Sequence, residues 1–184
     1  AWIAYQTAYL KSNYPAEYMA AVLSNNMNDI KSVTFFMEEC KRMKLNVLGP
    51  DVNESYYKFS VNQNNQIRFG MGAVKGVGAN AVATIVANRK KDGNYNSIFD
   101  LAKRIDLRAA NKKAFDNLAS SGAFDCFNNV HRAQYFNDDG DGITFLEKTM
   151  RHASKYQENI NSSQVSLFEN SIEVQFSEPS IPNC

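Results

Sequence analysis

Lys75-Gly76-Val77-Gly78 is the short stretch whose residue types and spacing suggest a chemical task. Two glycines around one apolar residue make a tight turn, and glycine lets a backbone come close to a bulky anion. A segment rich in alanine and valine follows, so the turn would open a helix whose first N–H groups point at a phosphate. Three readings fit. In the first, a short helix over 70–75 ends at Gly76, and Val77 plugs between two helices. Gly78 then opens the second helix, in which Ala81, Ala83, Ile85 and Val86 allow close packing. Lys75, Ala79 and Asn80 surround the turn, and Arg89, Lys90 and Lys91 add counter-charge. Such a helix-hairpin-helix would grip a nucleic-acid backbone and read no bases. In the second reading, Gly76 to Ala81 match G-x-G-x-x-A, the dinucleotide fingerprint. That fingerprint requires a strand leading directly into the turn, and Met71 to Lys75 intervene. Its ribose-binding acid would be Asp100, which lies in a helical pattern. In the third reading the turn holds no ligand.

Residues 97–125 suggest two more short helices around a turn at Ile105 to Ala110, with Asn111, Lys112 and Lys113 opening the second. This second hairpin lacks the Gly-x-Gly turn, so it reads as a weaker phosphate contact or a packing partner. Other candidate chemistry is thin. Asn137 to Gly142 imitate the start of a calcium loop, but Lys148 stands where the bidentate acid belongs, so a polar turn is the better reading. His131 and His152 lack companions for a metal or a triad; His131 reads as a cap or packing residue, and His152 as a surface residue. The basic run Lys41 to Lys44 reads as a solvated helix end. Cys40, Cys126 and Cys184 form no close pair, which disfavours a disulfide scaffold or a zinc site.

The elements that would hold these residues are mostly helical. Residues 1–12 read as the end of a helix with Trp2, Tyr5, Tyr9 and Leu10 on one face. Pro15 starts another helix with Tyr18, Met19 and Val22 inward. Asp29 caps a third, reaching about Met43, with Ile30, Val33, Phe36, Met37 and Cys40 inward. The period then changes. Val47-Leu48 reads as a short strand, and residues 57–61 and 66–69 flank a polar turn as a β-hairpin. Helices are expected over about 79–91, 96–105, 111–121, 130–137 and 143–160. From Asn159 the chain turns polar and reads as a mobile, extended tail. The expected class is therefore mainly α with a small β-hairpin. At 184 residues and a formal charge of +1, the chain fits one large or two small domains and carries no polybasic tail. It shows no signal peptide and no apolar run long enough to cross a bilayer, so a reducing cytoplasmic setting is the default expectation. Both ends read as cuts within a longer polypeptide.

Several motifs now fall into one order: AYQTAYLKSNYPAEYMAAVLS, PDVNESYYKF, IRFGMGAVKGVG, NKKAFDNLASSGAFD and SSQVSLFE. Together they resemble the alpha-subunit family of the bacterial replicative DNA polymerase III, over residues 1 to about 170. The resemblance implies that residues 1–65 end the polymerase fingers and that 66–160 form a tandem helix-hairpin-helix, or beta-binding, domain. Residues 161–184 would form a tail with a clamp-binding peptide. It implies duplex or primed DNA as partner for Lys75, Gly76, Val77, Gly78, Ala79, Asn80, Arg89, Lys90, Lys91, Lys112 and Lys113. It also implies that Gln164, Val165, Ser166, Leu167 and Phe168 are similar to the family's Q-x-x-L-F peptide for the sliding clamp (beta subunit). Alone, that Leu-Phe pair in a polar segment reads as a peptide anchor or as a tail that folds back. Other polymerase holoenzyme subunits are implied as further partners, and no membrane is. The family's nucleotidyl transfer uses palm carboxylates with Mg²⁺. The resemblance puts those outside this chain, leaving it with no catalytic residue and no cofactor of its own.

Overall fold

Proline has no N–H to give and suits the first turn of a helix, so the chain breaks at Tyr14 and restarts. The computed structural model describes residues 2–138, 140, 142–162 and 177–182. In it, α1 (Trp2–Asn13) gives way to α2 (Pro15–Asn25) at that break. The Asp29 carboxylate then accepts from the Lys31 N–H at 3.1 Å and opens α3 (Ile30–Arg42). Ala16, Met19, Ala20 and Leu23 of α2 and Cys40 of α3 are buried together with Phe59 and Ile67. The expected faces are partly corrected. Trp2, Tyr5, Tyr9 and Leu10 do share a face, with the three rings in a stacked ladder, but that face is exposed. Ile30, expected inward, is the first residue of α3 and is 81% exposed.

The hairpin is present and carries a third strand. β1 (Val47–Leu48), β2 (Ser60–Val61) and β3 (Ile67–Arg68) lie in the order β1-β3-β2. β3 runs antiparallel to β2 and parallel to β1. The Asn62 side chain shapes the turn between β2 and β3 by accepting from the Asn64 and Gln66 N–H groups. Two residues of Val47-Leu48 gave no sign of a parallel pairing across twenty positions. That pairing sets Val47 opposite Ile67 and Leu48 opposite Arg68.

A second, larger core gathers α4 (Ala79–Asp92), α5 (Ile98–Arg104), α6 (Lys112–Ser121) and α7 (Phe145–Ser162). Phe99, Phe124, Tyr135 and Phe145 meet in it at edge and tilted ring angles. The helix expected at 70–75 is a single 3₁₀ turn over Met71–Ala73, and the one at 130–137 is 3₁₀ over Arg132–Phe136. In α4 the buried residues are Ala81, Val82, Ile85 and Arg89, with Val82 in place of the expected Ala83. The chain does not trail off at 159. α7 continues to Ser162, and residues 177–182 lie back on the domain. There Ile181 packs on the second core, the Pro182 carbonyl accepts from Gln134 Nε2 at 2.6 Å, and Glu178 pairs with Lys103.

The two cores interleave around residue 65. Val52 belongs to the second, whereas Ile67 belongs to the first. Between them runs an irregular segment whose buried polar groups need partners. The Val52 N–H donates to the Ala123 carbonyl, and the Val52 carbonyl accepts from Arg89 Nη1 at 2.7 Å. The Asn53 side chain bonds both the N–H and the carbonyl of Tyr95. Buried Ser55 donates to the Phe69 carbonyl at 2.7 Å and accepts from the Asp51 N–H. Replacing Arg89 with Met keeps bulk but leaves the Val52 carbonyl unpaired. We expect a loss of about 1.5–3 kcal/mol, the worth of a hydrogen bond from a charged donor, read as a lower midpoint in urea unfolding.

Candidate nucleic-acid interface

The Gly76–Gly78 turn links the 3₁₀ turn at Met71–Ala73 to α4. The Val77 N–H closes it onto the Val74 carbonyl at 3.1 Å, and the Val77 side chain is buried in the second core. The two glycines have different reasons to be glycine. Gly76 sits at φ +80°, and a Cβ there would overlap the Asn117 amide of α6 and stand 3.5 Å from Lys113 Cε. The fold itself demands glycine at that position. Gly78 has φ −78° and ψ 159°, which any residue adopts, and nothing lies within 4 Å of a Cβ built on it. Nothing among the described residues requires glycine there.

Gly78 is also the N-cap of α4, a position where a side-chain oxygen would normally serve the first N–H groups. Among the described residues no side chain caps α4, and its first turn holds no acid. The first intrahelical bond runs from the Val82 N–H to the Gly78 carbonyl. The N-terminal N–H groups around Ala79 and Asn80 therefore face outward on exposed residues, with Lys75 exposed beside them. This end of the helix carries the positive pole of its dipole. Lys113, also exposed, reaches the same turn from α6.

The second hairpin is built differently. The Asn111 side chain caps α6 by accepting from the Ala114 N–H at 3.1 Å. Its turn carries Asp106, whose carboxylate accepts from the Arg108 N–H at 2.9 Å. Lys112 is ion-paired to Glu147, which also holds Arg151, and the two cations keep the Glu147 carboxyl below its ordinary range. The second unit thus satisfies itself and lends Lys113 and Asn117 to the first.

The other expected cations lie elsewhere. Arg89 is only 8% exposed and bonded to Val52, so its guanidinium serves the fold. Lys90 and Lys91 are exposed but sit at the C-terminal end of α4, about 15–20 Å of helix away from Gly78. One phosphate cannot touch both places. Asn117 was not foreseen. Its only sequence signal is its spacing of four from Lys113, which puts both on one face of α6.

The dinucleotide reading fails on geometry. β3 ends at Arg68 and a 3₁₀ turn over Met71–Ala73 separates it from Gly76, and Asp100 lies on α5, where it is ion-paired with Arg104 at 3.1 Å. At the calcium-like stretch, Asp138 and Thr144 form an isolated antiparallel bridge, while Asp139 and Asp141 fall outside the described residues. Among the described residues no cluster of side chains could hold a metal, and no helix is long and apolar enough to cross a membrane. His131 is exposed at the start of the second 3₁₀ turn, its N–H donating to Gln134 Oε1. His152 is half-buried on α7, where burial chiefly, and then Lys103, hold its pKa down. Gln164 to Phe168 also fall outside the described residues.

An uncapped helix opening behind a Gly-Val-Gly turn, braced by a second helix pair, defines a class, and comparison with known proteins agrees. Residues 44–135, half of the chain, match the helix-hairpin-helix motif, and the chain belongs to that family. Its relatives are DNA polymerase III alpha subunits. It is 46% identical over 125 residues to that of Chlamydia trachomatis, covering 68% of this chain and 10% of the relative. It is 41% identical over 143 residues to that of Escherichia coli K12, covering 78% and 12%. For Vibrio cholerae the figures are 38% over 168 residues, covering 91% and 14%. The chain thus spans a small part of the length of these relatives.

The contrast between the two glycines can be measured. Gly76→Ala should cost about 1–3 kcal/mol through the left-handed backbone and the overlap with Asn117. Gly78→Ser should be neutral or stabilising by a few tenths of a kcal/mol, as a better N-cap. Chemical denaturation of both variants reads the difference.

Proposed function

We propose that this chain is the part of a replicative DNA polymerase alpha subunit that holds the backbone of duplex or primed DNA without reading its sequence. The observation that carries the proposal is Gly78. Its dihedrals and surroundings permit any side chain, and a capping residue would stabilise α4, yet the position is bare and open. A missing side chain where the fold needs none makes room for something outside the protein. The uncapped N–H groups, Lys75 and Lys113 suit that something to be a phosphate. Lys90 and Lys91 would meet a more distant part of the same nucleic acid. DNA synthesis by the whole protein belongs to the same proposal, with this part supplying grip and no chemistry.

Gln164 to Phe168 extend the proposal to a partner. The Q-V-S-L-F sequence supports docking on the sliding clamp. A tether of that kind raises the local concentration of polymerase at the primer end without any new contact to DNA.

The grip is tested by fluorescence anisotropy of labelled primed duplex across a salt series. We expect sequence-indifferent binding with a log–log salt slope of about −2 to −3, as a few phosphate contacts give, and a slope shallower by about 1 in Lys75→Ala. The decisive variant is Gly78→Asp. It caps α4 and keeps or raises stability, yet sets a carboxylate where the phosphate would lie, so affinity should fall at least about tenfold. Equal binding by this variant would show that the turn is not the contact. A wild-type chain that binds no duplex at low salt would point to a protein-interaction module. The tether is tested separately with purified sliding clamp on a sensor surface. Leu167→Ala with Phe168→Ala should abolish capture of the chain while leaving its DNA anisotropy unchanged.

A further inference from the structure

We propose that the groove beside Tyr56 is a second nucleic-acid site, one that takes an unpaired nucleotide of the strand continuing past the gripped duplex. Tyr56 lies in the irregular segment between the two cores and is 45% exposed. Its ring is backed by the basic end of α4, with the Arg89 guanidinium carbon 5.1 Å and Lys90 Nζ 5.8 Å from the ring centre. Arg89 is held in place from below by the Val52 carbonyl, so the ring rests on a fixed cation. Beside it opens a groove of about 440 Å³ between Asn53–Tyr56, with Arg89 on the same side, and the β2–β3 turn, with Gln63, Asn64 and Arg68 on its far side. The single acid in its lining, Glu54, is ion-paired with Arg68. The buried Arg68 Nε has no hydrogen-bond partner among the described residues.

The chemistry of this groove selects its ligand. A tyrosine on a cation is a stacking surface for any base, since every base has a π-face. The exposed amides of Gln63 and Asn64 can donate to or accept from a base edge. Lys90 and the adjacent Lys91 supply charge for the backbone. A paired base would keep both faces within its stack, so the ring suits an unpaired one. The position fits as well. From Gly78 to Arg89 the helix rises about 16 Å, the length of about five nucleotides along a strand. A strand gripped at the glycine turn can therefore reach Tyr56 a few nucleotides later. The inference rests on the duplex grip proposed above, and the experiment separates the two.

Three ligands are compared by anisotropy at one salt concentration: a blunt duplex, the same duplex with a thymidine overhang of about ten nucleotides in either polarity, and the thymidine strand alone. A 2-aminopurine in the overhang reports stacking directly. For the wild-type chain we expect one polarity of overhang to tighten binding about tenfold and to quench 2-aminopurine. Tyr56→Ala should lose that gain and the quench while binding blunt duplex as before, and Tyr56→Phe should keep both. Gly78→Asp should lose blunt duplex yet retain Tyr56-dependent binding of the single strand. If blunt duplex fails to bind while the strand alone binds and depends on Tyr56, the grip is wrong and the groove stands. If the overhang adds nothing, or if Tyr56→Ala binds it as the wild type does, the groove is not a nucleotide site.

Discussion

The structure depends on keeping an irregular stretch of backbone satisfied between two hydrophobic cores. Residues 51–57 are neither helix nor ladder, and at buried Val52 and Ser55 an unpaired N–H or carbonyl would cost about as much as a lost hydrogen bond. The partners come from both sides: Phe69 from the sheet, and Arg89, Tyr95 and Ala123 from the helical unit. Gly70 belongs to the same joint, since a Cβ there would lie 2.6 Å from the Lys58 and Tyr57 backbone. The joint sets α4 against the sheet. Through α4 it also sets where the glycine turn points and where Tyr56 meets the basic helix end.

Within the helical unit, polar satisfaction is uneven in an informative way. α5 opens on Ser97, whose hydroxyl accepts from the Asp100 N–H, and α6 opens on Asn111. α4, longer than either, opens on bare glycine. A helix end left uncapped on the surface is solvated and costs modestly, and it remains available for a better acceptor than water. The second hairpin, closed by its own Asp106 and Asn111, works as a brace. Its Asn117 amide lies against Gly76, whose left-handed backbone already disfavours any side chain.

Charge is partitioned by the same geometry. The Arg89-Lys90-Lys91 run reads in the sequence as one basic cluster, yet its members have separate tasks. Arg89 points inward to a carbonyl, and its neighbours point outward. Lys112 and Lys113 divide likewise, one paired with Glu147 and the other beside the glycine turn. Adjacent residues on a helix face about 100° apart, so a run of like charges seldom forms one patch.

Much of this protein could be read from its sequence. The breaks at Tyr14–Pro15, Asp29 and Asn111, the polar turn at Asn62–Asn65 and the glycine turn are local. Each rests on dihedral preferences or caps that act within a few residues. The helical class and the hairpin were therefore legible, and so was the family resemblance carried by the ordered motifs. The parallel pairing of β1 with β3, the exposed ladder on α1, the 3₁₀ form of two expected helices and the return of residues 177–182 were not. These depend on which surfaces meet, and periodicity does not state what lies opposite a face. The same holds at the site. The sequence determined that Gly76 and Gly78 form a turn. Only the tertiary structure decided that Gly76 turns left-handed against α6, that Gly78 is open among the described residues, and that Arg89 belongs to the interior. Burial and long-range partners, which no short stretch of sequence contains, make those distinctions.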